Sequence, residues 1–311
     1  MNRMKPVLLL FFLLCAGVSG FAASLATAAR NVIPGDIQQV ISVDYRTLKN
    51  SETAMALKDR LLPDSLKTFE TALKGVGFVE NDIDQLVFAS FRSKSGVRIV
   101  GIAQGEFPVK RIRTKMRLKK IRPEKYRLAY LYPMNGGMQM TFLDDYTMLF
   151  GDGVAVKTAL DSRDGEIQSL NTNSQVTDMI SGVESGPIWS ILDAAGTQNM
   201  LRSALGDAAQ LADFEILKKR LLGSRYLMEF ASGVNFDLDV LTSDSMTAAT
   251  LSSLVKAGMM YRKISATASE KMALDSMSVD SQSSTLKLHF RSDDKKFESL
   301  LHSDLFAAVS R

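Results

Sequence analysis

Apolar and polar residues alternate over residues 38–44 and again over 188–192, and each run leads into a long stretch with apolar positions three and four apart. That change of period, from two to about 3.6, predicts a strand running into a helix at both places. In the first, the helical face is Met55, Leu57, Leu61 and Leu62, then Leu66, Phe69 and Leu73. Pro63 restarts the helix and Gly75 ends it. In the second, the helical stretch is expected to reach Leu222.

Residues 85–92 and 97–107 read as two strands joined by the polar turn Ser93-Lys94-Ser95-Gly96. Pro108 then opens a helix, where its missing N–H costs least, with Val109, Ile112 and Met116 as the apolar face. Strands are expected at 126–133, 138–143 and 146–151, separated by Asn135-Gly136-Gly137 and Asp144-Asp145, and a helix at 154–160 follows. After the polar stretch 161–175 and a short helix at 176–183, the order repeats. It runs through strands at 226–231 and 235–241, a helix pair within 245–264, a hairpin of 274–280 with 285–291, and a last helix from Lys295.

The sequence therefore predicts an α+β fold of two tandem repeats, each strand-helix-hairpin-helix-hairpin-helix, with mainly antiparallel sheets and helices packed on one face. Asp44 and Asp193 stand at matching places, and Phe88-Ala89-Ser90 and Phe230-Ala231-Ser232 share letters. The expected divisions are 1–28 as a leader, 29–160 as the first repeat, 161–185 as a connection and 186–311 as the second repeat.

The leader reading rests on Arg3 and Lys5 ahead of the apolar run 7–16 and a small-residue region, the order of a secretory signal peptide. Cleavage after Ala22 or after Ala28 satisfies the small residues required there. Export to the periplasm or beyond follows as an expectation. Cys15 is the only cysteine in 311 residues. It lies at the end of the apolar run, where a lipidated cysteine would stand, but Leu14 precedes it where a small residue is wanted. A chain without disulfides must be held by its core, and no stretch after the leader is long and apolar enough to span a membrane as a helix.

The catalytic inventory is thin. Of two histidines, His289 lies between Leu288 and Phe290 on the polar side of its strand, and His302 lies on the polar side of the last helix. Both read as solvated. No phosphate-binding glycine loop, cofactor motif or metal-ligand spacing is present. One acid pair stands out: Asp237 and Asp239 alternate with Phe236, Leu238 and Val240, so they share a sheet face about 7 Å apart. The pair could serve carboxylate hydrolysis or calcium, or simply keep a solvated face charged.

The strongest local signal is charge. Lys110, Arg111, Arg113, Lys115, Arg117, Lys119, Lys120, Arg122, Lys125 and Arg127 face one acid, Glu124, whereas the whole chain carries +4. Docked through Val109, Ile112 and Met116, the helix would present most of these cations to anionic lipid or an envelope polymer, or to an acidic protein partner. Nucleic acid fits poorly, for no aromatic residue interleaves the cations before Tyr126. Sixteen methionines, including Met138, Met140 and Met148 on neighbouring strands and Met259 and Met260 in a helix, could shape an adaptable apolar groove or simply fill core. Trp189, the only tryptophan, reads as a packing anchor.

The segments VDYRTLKNSETAMALKDRLLPDSLKTFETAL (43–73) and GTQNMLRSALGDAAQLADFEILKKRLLGSRY (196–226) resemble uncharacterised exported proteins of bacteria. That resemblance implies export and repetition and carries no activity. The expectation is a non-enzymatic envelope protein, a scaffold or binding module for a protein or an anionic surface. A carboxylate-dependent hydrolase and a carrier of an apolar ligand are the alternatives.

Overall fold

The computed structural model describes residues 24–49, 71, 82–205, 214–230 and 233–293. The expected helices at 51–75 and from Lys295, with His302, lie outside the described residues. A short helix α1 (Thr27–Val32) precedes strand β1 (Ile37–Asp44) and one further turn α2 (Tyr45–Leu48). The β2 (Ile83–Ser93) and β3 (Gly96–Gly105) hairpin leads to helix α3 (Val109–Leu118). Strands β4 (Glu124–Tyr126), β5 (Ala129–Pro133), β6 (Met138–Phe142) and β7 (Thr147–Asp152) follow, then α4 (Gly153–Arg163) and α5 (Ser174–Ser181).

Strand β8 (Ile188–Asp193) enters α6 (Ala194–Leu205), and α7 (Phe214–Leu217) precedes the hairpin of β9 (Leu221–Glu229) and β10 (Val234–Thr242). Helices α8 (Ser245–Ser265) and α9 (Ala268–Asp275) and the hairpin β11 (Met277–Gln282) and β12 (Thr285–Ser292) complete the described chain.

All these strands join one 12-stranded antiparallel sheet, in the order β11-β12-β10-β9-β8-β1-β2-β3-β7-β6-β5-β4. The centre is the β1–β8 pair, in which Ser42 faces Trp189 and Val43 faces Ile188. Outward from it, the order is β1-β2-β3-β7-β6 on one side and β8-β9-β10-β12-β11 on the other. At the centre, Asp44 accepts the Thr47 N–H at 2.9 Å and Asp193 accepts the Gly196 N–H at 2.7 Å. Each carboxylate thus ends a strand by capping the helix that leaves it, satisfying a donor the helix cannot bond internally. The shared letters Ala231 and Ser232 lie outside the described residues. Phe88 of β2 lies opposite Ile41 of β1, and Tyr226 of β9 lies opposite Ser190 of β8.

Helices cover both faces of the sheet, which corrects the expectation of one. On one face Val40, Val87, Ala89, Phe91, Val100, Ile102, Trp189 and Ile191 pack with α1, α4 and α5. On the other, α3 covers one end through Val109, Ile112 and Met116 over Met140, Met148 and Phe150, and α6 and α8 cover the opposite end over Leu238, Val240 and Leu286. The cause is visible in β7 and in β2, where consecutive residues are buried because apolar side chains point both ways. Trp189 is 1% exposed and anchors the centre. Ser162, Val176, Met179, Ile180 and Val183 are buried too, so the polar stretch 161–185 also contributes side chains to the core.

Two element boundaries differ in an instructive way. The expected strand 126–133 is a hairpin, because Arg127 takes a left-handed φ of 51° and the turn reverses the chain. Arg127 is held there by hydrogen bonds to Asp161 at 2.7 Å and Glu166 at 2.9 Å, a tie that alternation in β4 and β5 cannot reveal. The expected helix pair in 245–264 is a single helix. Asp244 starts it by accepting the Thr247 N–H, which with the Thr247 and Ser243 hydroxyls draws its pKa down to about 2. Gly258, the only breaker inside, costs a helix about 1 kcal/mol and does not end it.

Candidate functional site

Helix α3 is placed by three buried side chains, Val109, Ile112 and Met116, and by Ile121, which folds back over the same cluster. The reversal is built by the backbone. Lys120 N–H donates to Arg117 O at 2.9 Å and Ile121 N–H donates to Met116 O at 3.0 Å, a Schellman ending. Its left-handed position, φ 56°, holds Lys120 where glycine is usual. A left-handed L-residue costs about 1–2 kcal/mol, so Lys120→Gly is expected to raise unfolding stability by about 1 kcal/mol, measured by urea denaturation. No gain would mean that the lysine side chain compensates the strain through a contact of its own.

The cations on α3 are arranged against the helix's own interest. Lys110, Arg111 and Arg113 lie at its N-terminal end, where the dipole is positive and the first turn holds no acid. Arg111 with Lys115 and Arg113 with Arg117 are like-charge pairs four residues apart, each worth a few tenths of a kcal/mol of repulsion. Lys110, Arg111, Arg113, Arg117, Lys119, Lys120 and Arg122 are exposed and Lys115 is half-buried. Among the described residues, no ion pair engages Lys110, Arg111, Arg113, Lys115, Arg117, Lys120 or Arg122, whereas many cations elsewhere in the sheet have a carboxylate partner. Arg127 leaves this set. Its three acids, Asp161, Asp164 and Glu166, tie the β4–β5 turn to the end of α4, and the hydrogen bonds to Glu166 first and then to Asp161 raise its pKa above the usual guanidinium value. Apolar side chains stand out on this part of the protein as well: Leu118 is 78% exposed at the end of α3, and Leu128 is 90% exposed in the β4–β5 turn.

The acid pair has a different fate. Asp237 and Asp239 share a face of β10 as their alternation requires, but register sets Arg225 and Lys287 opposite Asp239 and the His289 ring opposite Asp237. Arg225 Nε and Nη2 donate to Asp239 Oδ2 at 3.1 and 3.0 Å, and Lys287 Nζ donates to Oδ1 at 3.4 Å. Asp237 bonds the Nδ1 atom of His289. The pair belongs to a polar ladder across β9, β10 and β12 rather than converging on a cleft, and His289 is a hydrogen-bonded member of it, not a freely solvated ring. Register also sets Ser278 opposite His289, but the Ser278 hydroxyl makes no hydrogen bond to the ring among the described residues. Among the described residues, no group of three His, Cys, Asp or Glu side chains could hold a metal ion.

A partly enclosed apolar cleft, of the kind the apolar-carrier alternative called for without placing it, opens between α6 and α8 over β10 and β12. Met259 lines it, as the methionine pattern allowed, while Met260 is 71% exposed and points elsewhere. Met140 and Met148 are fully buried filler in the core under α3. No helix among the described residues is long and apolar enough to cross a membrane, a statement that does not bear on strands.

No known protein family matches the chain, and no curated relative matches it. Among solved structures, it is similar to TP0453 in crystal form I, at 10% identity and a TM-score of 0.48, over 91% of this chain and 100% of that one. Crystal form III of TP0453 gives 8% identity and a TM-score of 0.48, over 88% and 96% of the two chains.

Proposed function

We propose that the protein is an exported, non-enzymatic binding module that docks on an anionic lipid surface through α3. The observation that carries this reading is the array of exposed cations on α3 that no described carboxylate neutralises, set on the helix where dipole and like-charge repulsion both oppose it. Such an arrangement is a cost to folding and a gain only when an anionic surface arrives. Exposed Leu118 and Leu128 favour lipid over a polyanionic wall polymer, since apolar side chains among cations gain by entering a headgroup layer.

Two further readings accompany it. The chain is two copies of one α+β unit, 29–160 and 186–311, related about the β1–β8 pair. The matched strand orders and the matched caps at Asp44 and Asp193 support this. The leader ends near Ala22 and not at Ala28, because Leu25 is 3% exposed within the core and Arg30 Nε donates to its carbonyl. A cut after Ala28 would discard a core side chain.

The docking reading is tested by co-sedimenting the protein with phosphatidylglycerol vesicles, and separately with purified cell-wall polymer, over a salt series. Binding to vesicles that falls steeply between 0.05 and about 0.5 M salt supports it, because the screening length shortens over that range. Protein left in the supernatant at low salt would end it.

A further inference from the structure

We infer that the cleft between α6 and α8 is a binding site for a single unbranched acyl chain whose carboxylate pairs with Arg262. Met200 and Ala204 of α6, Leu238 of β10, Leu288 of β12 and Met259 of α8 form its walls, and among the described residues Arg262 is the one charged residue lining it. The cavity holds about 100 Å³. An apolar cavity of about 150 Å³ takes up a benzene ring, so the enclosed part of this one takes only the first few methylenes of a chain, and the rest of the chain lies along the partly open mouth of the cleft. The methionines add flexible, polarizable walls that adapt to a chain of varying length.

The polar end is set by Arg262. It lies in the last turn of α8, half-buried, and among the described residues no carboxylate comes within ion-pair distance of it. Lys263 beside it is already paired with Asp275 at 2.5 Å. Glu270 feels the charge of Arg262 only through space, for its carboxylate is held by the Thr267 N–H and hydroxyl at the start of α9, which together draw its pKa down. A guanidinium at the edge of an apolar cleft offers a planar fork that fits a carboxylate through two parallel hydrogen bonds. An alcohol or ester of the same chain length cannot use that fork as an ion pair. The chemistry of the site therefore names a fatty acid and not a neutral apolar ligand.

The site is separate from α3, which lies at the other end of the same face, so it does not depend on the docking reading. The test is calorimetric titration of the protein with lauric acid below its micelle concentration, beside dodecanol and methyl laurate. Lauric acid is expected to bind with a dissociation constant in the micromolar range, and the two neutral probes about tenfold or more weaker. Arg262→Gln should bring lauric acid down to the level of dodecanol, and Ala204→Phe, which fills the cleft from α6, should abolish binding of all three. Both positions are partly exposed on helices, and thermal melts establish that the variants fold. Absence of lauric acid binding, equal binding of acid and ester, or binding unchanged in Ala204→Phe would each overturn the inference.

Discussion

Replacing Arg111, Arg113, Arg117 and Lys120 together with Gln is expected to lower partitioning onto anionic vesicles by about three orders of magnitude at low salt. A cation near a negatively charged bilayer contributes about 1 kcal/mol, so four contribute about 4 kcal/mol, and each 1.4 kcal/mol is a factor of ten. All four side chains are exposed and no described carboxylate pairs with them, so the substitutions remove charge without stranding a buried partner. Removing Arg113 and Arg117 also relieves repulsion within α3. The variant should therefore melt at the same temperature as the parent or slightly above it. A variant that loses binding because it unfolds would be recognised by its melt, and one that binds vesicles as the parent does would show the cations to be an ordinary solvated face.

The second large effect is expected at the centre of the sheet. Trp189→Ala should cost about 3–5 kcal/mol of unfolding stability, the range for deleting a buried large aromatic side chain. Trp189 is 1% exposed, on β8 opposite Ser42 of β1 and Leu227 of β9, and it packs in the cluster that α1, α4 and α5 close over. Urea denaturation followed by circular dichroism measures it, since the variant lacks the only tryptophan. Trp189→Phe, which keeps most of the apolar surface, should cost distinctly less. A loss below 1 kcal/mol for the alanine variant would mean that the β1–β8 seam does not rest on one continuous core.

What could be read from sequence was local. The strand before Asp44, the strand before Asp193 and the amphipathic helix after Pro108 each declare themselves by period and punctuation within about ten residues, and the structure places all three. The acid pair shows where such reading ends. Alternation correctly puts Asp237 and Asp239 on one face, but their partners Arg225, Lys287 and His289 come from strands whose register no local pattern fixes. Arg127 is the same case: part of a charge run in sequence, it is taken out of the patch by Asp161 and Glu166 some 34 and 39 residues away.

Two features had a usable signal that alternation hid. The run Leu86-Val87-Phe88-Ala89 in β2 is apolar on both sides, which calls for cover on both faces. Leu25 and Ala29, beyond the apolar run 7–16, have helical spacing and are core residues of α1 or its entry. The cleft at Arg262 had no such signal, because it is made by two helices separated by 39 residues of sequence between Leu205 and Ser245, meeting over strands from both hairpins of that end.

The central claim is that α3, and no other part of the surface, faces the lipid. The most direct test is a spin label on a single cysteine in a Cys15→Ser background, at Thr114 on the exposed side of α3 or at Ser253 on the exposed side of α8. Collision with a water-soluble nickel chelate is compared before and after addition of anionic vesicles. Protection of the label at Thr114, with the label at Ser253 unchanged, is the predicted result. Protection at Ser253 alone, or at neither position while the protein sediments with the vesicles, would contradict it.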